Sequence, residues 1–136
     1  MDVDTLQKRI APMFPGTMGV KMLEVSKERI RAELEVRDGL CTSGNTLHGG
    51  AYMAFADTLG ALGTVVNMPE GARTTTIESK TNFLGAAPMG TKVFGEATPI
   101  HRGRTTQVWT TRITNEAGKL LAVVTQTQMV LPAQPV

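Results

Sequence analysis

The chain has a single cysteine, Cys41, in 136 residues. An internal disulfide is therefore excluded, and a reducing compartment is expected. It has two histidines, His48 and His101, and no Cys/His pair at ligand spacing. No metal centre is expected on that account. Aromatic residues make up 4% of the chain, no Lys/Arg run exceeds two residues, and net charge is only +2 with a pI of about 8.9. That balance does not describe a nucleic-acid binder, though it suits a small anionic ligand. The N-terminal residues Asp2, Asp4, Lys8 and Arg9 leave no apolar core for a signal peptide, and no apolar run approaches the ~18 residues of a membrane span. A cytoplasmic protein with no membrane partner is expected. Gly-x-Ser-x-Gly is missing, which excludes a serine-elbow hydrolase. No glycine-rich phosphate loop and no internal repeat occur. Hydrophobic content is 41%, and the length suits one domain over residues 1–136.

What is present is concentrated between His48 and Met68. From Asp38 to Glu70 the only intervening charged side chain is Asp57. Ala51 to Ala56 precede it, and Leu59, Ala61, Leu62, Val65 and Val66 follow, with Pro69 as a stop. The pattern predicts a buried central helix of about five turns. A lone carboxylate there either bonds nearby backbone or an arginine across an interface, or is catalytic. Gly49 and Gly50 favour the second reading. Without side chains they let a ligand approach the free N–H groups at the positive end of the helix, where an oxyanion is stabilised. Gly49 and Asp57 are separated by ~12 Å along one helix. A reacting carbonyl needs both groups within ~3 Å. Two antiparallel copies satisfy that requirement, so two catalytic roles imply at least a dimer.

Around this helix the chain is mostly strand. Residues 3–11 predict a short helix with Asp4 as N-cap, closed by Pro12 and Pro15-Gly16. Residues 17–25 suggest a strand with Met18, Val20 and Met22 on one side. Residues 29–37 alternate Ile30, Ala32, Leu34 and Val36 with charged residues, a half-buried antiparallel strand. Residues 38–47 form a turn-rich loop. Four strands follow: 74–84, 92–100 with Pro99 placing its end at a bend or edge, 105–114 and 119–131. The tail from Pro132 to Val136 is expected to fray. Six antiparallel strands and one apolar helix give an α+β architecture in which the sheet curls around the helix.

The chain resembles the hotdog-fold acyl-CoA thioesterases, in particular the phenylacetate-pathway type. The residues that carry the likeness are Leu47-His48-Gly49-Gly50, then Asp57 and Gly60. Supporting them are Asn82-Phe83-Leu84, Gly95-Glu96-Ala97, His101-Arg102-Gly103-Arg104-Thr105-Thr106 and Asn115-Glu116-Ala117-Gly118-Lys119. The resemblance spans roughly Pro15 to Leu131. It implies a six-stranded sheet wrapped around the helix and a homodimer with sites at the interface, commonly paired again into a homotetramer. It implies that the Gly49 N–H polarises a thioester carbonyl, that Asp57 of the partner chain attacks it or activates water, and that His48 orients the thioester end or the loop. No cofactor is implied. Many relatives carry Asn or Gln six residues before the motif histidine; here Thr42 stands there, and Asn45 lies three residues nearer. Either could hold the water or thioester.

The resemblance also brings the phosphates of CoA near Arg102, Gly103 and Arg104, two guanidiniums beside a glycine that permits close approach. Trp109 and Phe83 are expected in the core. Tyr52, Met53 and Phe55 either line an acyl pocket or simply pack. A Cys41–His48 nucleophilic pair is not favoured, since a lone Cys is more often a small buried residue. The function expected is hydrolysis of an aryl- or medium-chain acyl-CoA to free acid and CoA. The alternatives are a hotdog hydratase or dehydratase, against which the lack of a second placed histidine counts, and a non-catalytic acyl-CoA binder.

Overall fold

The computed structural model describes residues 1–134. Pro135 and Val136, the end of the tail expected to fray, lie outside the described residues. Helix α1 spans Val3–Ile10 and buries Leu6 and Ile10. Its N-cap is Asp2, not Asp4: the Asp2 carboxylate accepts from the Thr5 N–H at 2.8 Å. A cap must stand outside the helix in extended backbone, and Asp4 lies inside the first turn, where its charge suits the dipole. The strand expected over 17–25 is also corrected. Phe14–Met18 is a short helix, α2, begun by Pro15 and ended by Gly19 in the left-handed region at φ 89°. Proline at the start and glycine past the end make that turn local. Strand β1 begins only at Lys21 and runs to Val25. Met18, Val20 and Met22 are all buried, but Met18 belongs to α2, Met22 to β1 and Val20 to the connection between them.

Strand β2 is Ile30–Glu35, with Ile30, Ala32 and Leu34 buried in alternation. The loop at 38–47 contains a 3-10 turn at Asp38–Leu40 and a small hairpin, β3 (Cys41–Thr42) with β4 (Thr46–Leu47). Helix α3 is Gly49–Asn67. Four long strands follow: β5 Arg73–Phe83, β6 Lys92–Arg102, β7 Thr106–Asn115 and β8 Leu120–Leu131. The main sheet has six strands in the order β1-β2-β6-β7-β8-β5, all antiparallel. Helix α3 packs against β2, β5, β6, β7 and β8. The observed architecture is the expected hotdog arrangement. Pro99 marks a bend, but β6 continues three residues beyond it, with a register shift against β7 between Pro99 and His101. Pairing with β2 ends at Ile30↔Ala97, so the missing Pro99 N–H is not needed on that side.

Tyr52, Phe55, Ala56, Leu59 and Leu62 of α3 are buried, whereas Met53 is 38% exposed and Ala54, Asp57 and Ala61 are only partly covered. One side of an apolar helix thus stays open in the single chain. Strand β5 is a sheet edge, and it carries exposed Ile77 and Phe83. No helix among the described residues is long and apolar enough to cross a membrane.

Candidate active site

The start of α3 is built by His48. Its backbone is extended (φ −62°, ψ 140°), and its Nδ1 accepts from the Gly50 N–H at 2.7 Å. That bond leaves the proton of the neutral imidazole on Nε2. The Ala51 and Tyr52 N–H groups both donate to the His48 carbonyl, at 2.9 and 3.3 Å. Among the described residues, only the Gly49 N–H in this first turn has no acceptor. It is therefore the donor available to a ligand at the positive end of the helix. The Phe83 ring lies beside it: a Cβ at Gly49 would sit 3.3 Å from a ring carbon.

Asp57 lies two turns further along. Its Oδ1 accepts from Thr76 Oγ1 of β5 at 2.6 Å and from Gln126 Nε2 of β8 at 3.3 Å. Its Oδ2 makes no hydrogen bond among the described residues. The carboxylate is thus anchored through one oxygen with the other left over. Gln126 Nε2 also reaches the Asp57 carbonyl at 3.3 Å and Gln128 Oε1 at 2.9 Å. This is possible because Gly60 faces Gln126. A Cβ there would come within 2.3 Å of the Gln126 amide carbon.

The predicted residues do not converge within one chain. Gly49 and Asp57 remain ~12 Å apart along the axis. Arg102 belongs to β6 rather than to the turn, and it lies at the opposite end of α3. Its Nη1 donates to Asn67 Oδ1 at 3.4 Å and to the Lys27 carbonyl at 3.1 Å, and pairs with Glu28 at 3.0 Å. Asn67 is ~27 Å from Gly49 along the helix. The expected close approach at Gly103 is also limited. A Cβ there would be 2.5 Å from His101 Nε2 and 2.9 Å from the Thr106 carbonyl, so the glycine serves the turn itself. Arg104 has no salt bridge among the described residues, and it borders a cavity of about 260 Å³ with Glu70 and Val130. Thr42 and Asn45 sit on the β3–β4 hairpin, both exposed, with no side-chain hydrogen bond among the described residues.

A second cavity, of about 290 Å³, opens beside His48 and Gly50. Its walls include Phe14 and Met18 of α2, Leu40, Cys41 and Ala54. Of the residues considered for an acyl pocket, Tyr52 and Phe55 are core, at 3% and 0% exposure. Trp109 is fully buried as expected, but Phe83 is 52% exposed at the sheet edge. It projects from the last residue of an edge strand, where no neighbouring strand covers it. Sequence reasoning missed Thr76, Gln126 and Gln128. Their signal was present: Gln126 and Gln128 fall on the same inward parity of β8 as Ala122 and Val124.

The thioesterase superfamily profile matches residues 44–122. A 1,4-dihydroxy-2-naphthoyl-CoA hydrolase of Listeria monocytogenes is 30% identical over 107 residues, covering 79% of this chain and 86% of that protein. The crystal structure of a thioesterase from Haemophilus influenzae superposes with a TM-score of 0.93 at 27% identity, covering 99% of this chain and 94% of that one. A variant thioesterase from Pseudomonas aeruginosa gives 0.92 at 25% identity, covering 97% and 95%. Profile, sequence relatives and fold agree with one another: the chain belongs to the thioesterase superfamily and is a hydrolase.

Proposed function

We propose that this protein is an acyl-CoA thioesterase whose site is shared between two antiparallel copies. The observation that carries the reading is the geometry of α3. Its unpaired Gly49 donor, its anchored Asp57 and the arginines beyond its far end are spread along one axis. A second helix running the other way brings Gly49 of one copy to Asp57 of the other, with Arg104 of that same copy ~15 Å or more further along the axis. The open side of α3 at Met53 and the exposed edge of β5 supply apolar surface for that pairing. A homodimer is the minimal unit, and two dimers joined as a homotetramer complete the assembly. Half-buried Cys41, the one thiol, suits a reducing cytoplasm.

In this site the Gly49 N–H donates to the thioester carbonyl oxygen. Water attacks the carbonyl carbon and gives its proton to Asp57. The oxyanion rests on the Gly49 N–H until the C–S bond breaks, and the departing thiolate takes the proton from Asp57. The products are a free acid and CoA. His48 fixes the first turn through Nδ1 and presents Nε2–H. Thr42 or Asn45 borders the entrance. Arg104 meets the CoA phosphates, while Arg102 remains committed to Glu28, Asn67 and the Lys27 carbonyl. The cavity beside Gly50 takes the acyl group. A void of ~150 Å³ accommodates benzene, so about 290 Å³ suits an aryl or medium-chain acyl group. The Listeria relative, named for a two-ring aryl-CoA, agrees with that size.

Complementation tests the shared site. Asp57→Asn alone is expected to lower kcat by roughly 10²–10⁴-fold with acyl-CoA binding retained. Gly49→Val, which places side-chain atoms against Phe83, is expected to be equally inactive. Unfolded together and refolded as a mixture, the two variants form mixed pairs with one intact site, and activity returns. Failure of the mixture to recover, with both variants folded, would sink the two-copy site. Unaltered turnover in Asp57→Asn and Asp57→Ala would instead indicate a binder or a different catalytic group.

A further inference from the structure

The cavity beside His48 has walls from two separate parts of the chain, and one arginine is bonded to both. Phe14 and Met18 of α2 form the first wall; Gly39, Leu40 and Cys41, in and just after the 3-10 turn, form the second. Arg37 stands directly before that turn, at its N-cap position. Its guanidinium reaches across to α2: Nη1 donates to the Met18 carbonyl and Nη2 to the Thr17 carbonyl, each at 2.5 Å. Both carbonyls belong to the end of a helix, where acceptors lack intrahelical partners. Gly19 makes room for the approach, since a Cβ there would lie 3.0 Å from Nη1. Among the described residues, no other side-chain hydrogen bond reaches α2, and Arg37 has no salt bridge.

The backbone of the same residue holds the second wall. The Arg37 carbonyl accepts from the Leu40 N–H at 3.0 Å and from Cys41 Sγ at 3.4 Å. The Leu40 carbonyl in turn accepts from the His48 N–H at 2.9 Å. The links thus run from α2 through Arg37 to the start of α3, next to the unpaired Gly49 donor. Packing leaves the first wall loose at its outer end, where Phe14 is 64% exposed.

We propose that Arg37 is a positioning residue for acyl selectivity: its side chain fixes the spacing of the two walls and so favours an acyl group large enough to touch both. The inference rests on the reading of this cavity as the acyl site given above. Arg37 does not line the cavity and acts through α2. A slot held at one width receives a flat or extended group without the ordering cost of closing on it. Dispersion contacts on its two faces weaken steeply when the gap widens by even ~0.5–1 Å. A two-carbon acyl group is too short to bridge the walls and gains nothing from the clamp. Arg37 is itself exposed, so water can solvate the carbonyls that its removal frees, and its variants are expected to fold.

The test uses two thioether analogues, benzyl-CoA and ethyl-CoA, in which a methylene group replaces the carbonyl and nothing can be hydrolysed. Calorimetry on the full chain gives their dissociation constants, and kcat and KM for benzoyl-CoA and acetyl-CoA are measured beside them. Arg37→Met is expected to weaken benzyl-CoA by about three- to tenfold, the worth of one exposed hydrogen bond, with ethyl-CoA unchanged. The KM of benzoyl-CoA should rise by the same factor while kcat holds. Arg37→Lys keeps the charge without the planar fork and should lose part of the discrimination. Phe14→Ala removes the wall that the guanidinium steadies, so Arg37→Met added to it should cost little more. A charge acting on CoA itself would weaken both ligands alike. That result, no change in Arg37→Met, or costs that multiply in the double variant overturns the proposal. So does a wild-type protein that binds benzyl-CoA no tighter than ethyl-CoA. If circular dichroism shows Arg37→Met unfolded, Arg37→Lys decides alone. Lost discrimination in a protein that cleaves neither thioester would uphold the clamp while removing the acyl-CoA hydrolysis proposed above.

Discussion

Asp57 and Gly49 were legible in the sequence because each breaks the rule of its surroundings. One is the single charge in a long apolar stretch; the other is half of a glycine pair where a helix begins. The residues that hold Asp57 were only partly legible: Gln126, like Gln128, breaks the apolar parity of β8, but nothing ties it or Thr76 to Asp57 until the sheet brings β5 beside β8. Their pairing is long-range, with Thr76 opposite Gln128 in register. Tyr52 shows a different effect of burial. It is the one tyrosine of the chain and donates from its hydroxyl to the Gly85 carbonyl at 3.2 Å. Burial pushes its phenol above the usual 10.0, an effect only partly offset by the Ala87 amide. A raised value means that the folded state holds the proton where the unfolded chain has lost it. The stability so gained is complete below pH 10 and is lost as pH rises through the folded value. Absorbance of tyrosinate should therefore appear above pH 10, and Tyr52→Phe should flatten the alkaline fall of urea-unfolding stability. An unchanged slope would exclude Tyr52 as its source.

The elements readable from periodicity were those stabilised by their own pattern, such as β2 with its strict alternation and the hairpin of β7 and β8. The segment before β1 was not, since Met18, Val20 and Met22 alternate like a strand while Pro15 and Gly19 impose a helical turn on the first of them. The β3–β4 hairpin escaped notice for a related reason: two-residue strands carry no period to detect. Helix α3 was read as a buried central helix; the structure leaves one side open at Met53 and shows how the other lies so close to the sheet. Gly60 sits on Gln126 and Gly63 on Trp109, where added Cβ atoms would come within 2.3 and 2.7 Å. Gly60→Ala is expected to destabilise the protein by about 1–3 kcal/mol through overpacking, and to lower kcat by displacing the Gln126 amide from Asp57. In a Gln126→Ala background the same change should cost far less, because the vacated space receives the methyl group. Urea unfolding of the four proteins of this cycle measures the coupling. Additive costs would show that the two side chains do not share that space.

At the scale of the molecule, the sheet is curled but not closed, and its two edges differ. Strand β1 is short and charged at Lys21 and Glu24, while β5 is eleven residues long and carries Ile77 at 54% exposure. A long unpaired edge invites a second strand; β5 already carries exposed Arg73, Glu78 and Lys80, and Ile77 is the apolar side chain among them that a further charge would replace. Ile77→Lys should therefore shift sedimentation toward the monomer and abolish thioester cleavage together, with Asp57 and its hydrogen-bond partners intact. A monomeric variant that still cleaves would remove the need for a partner. The glycine stripe of α3 also limits how this scaffold can diverge. With Gln126 and Trp109 filling the gap to the sheet, that side of the helix has no room for bulkier substitutions. On the proposed reading, changes in acyl preference fall instead on the cavity beside Gly50, whose walls include Phe14, Met18 and Leu40 of the small helical turn and loop outside the packed core.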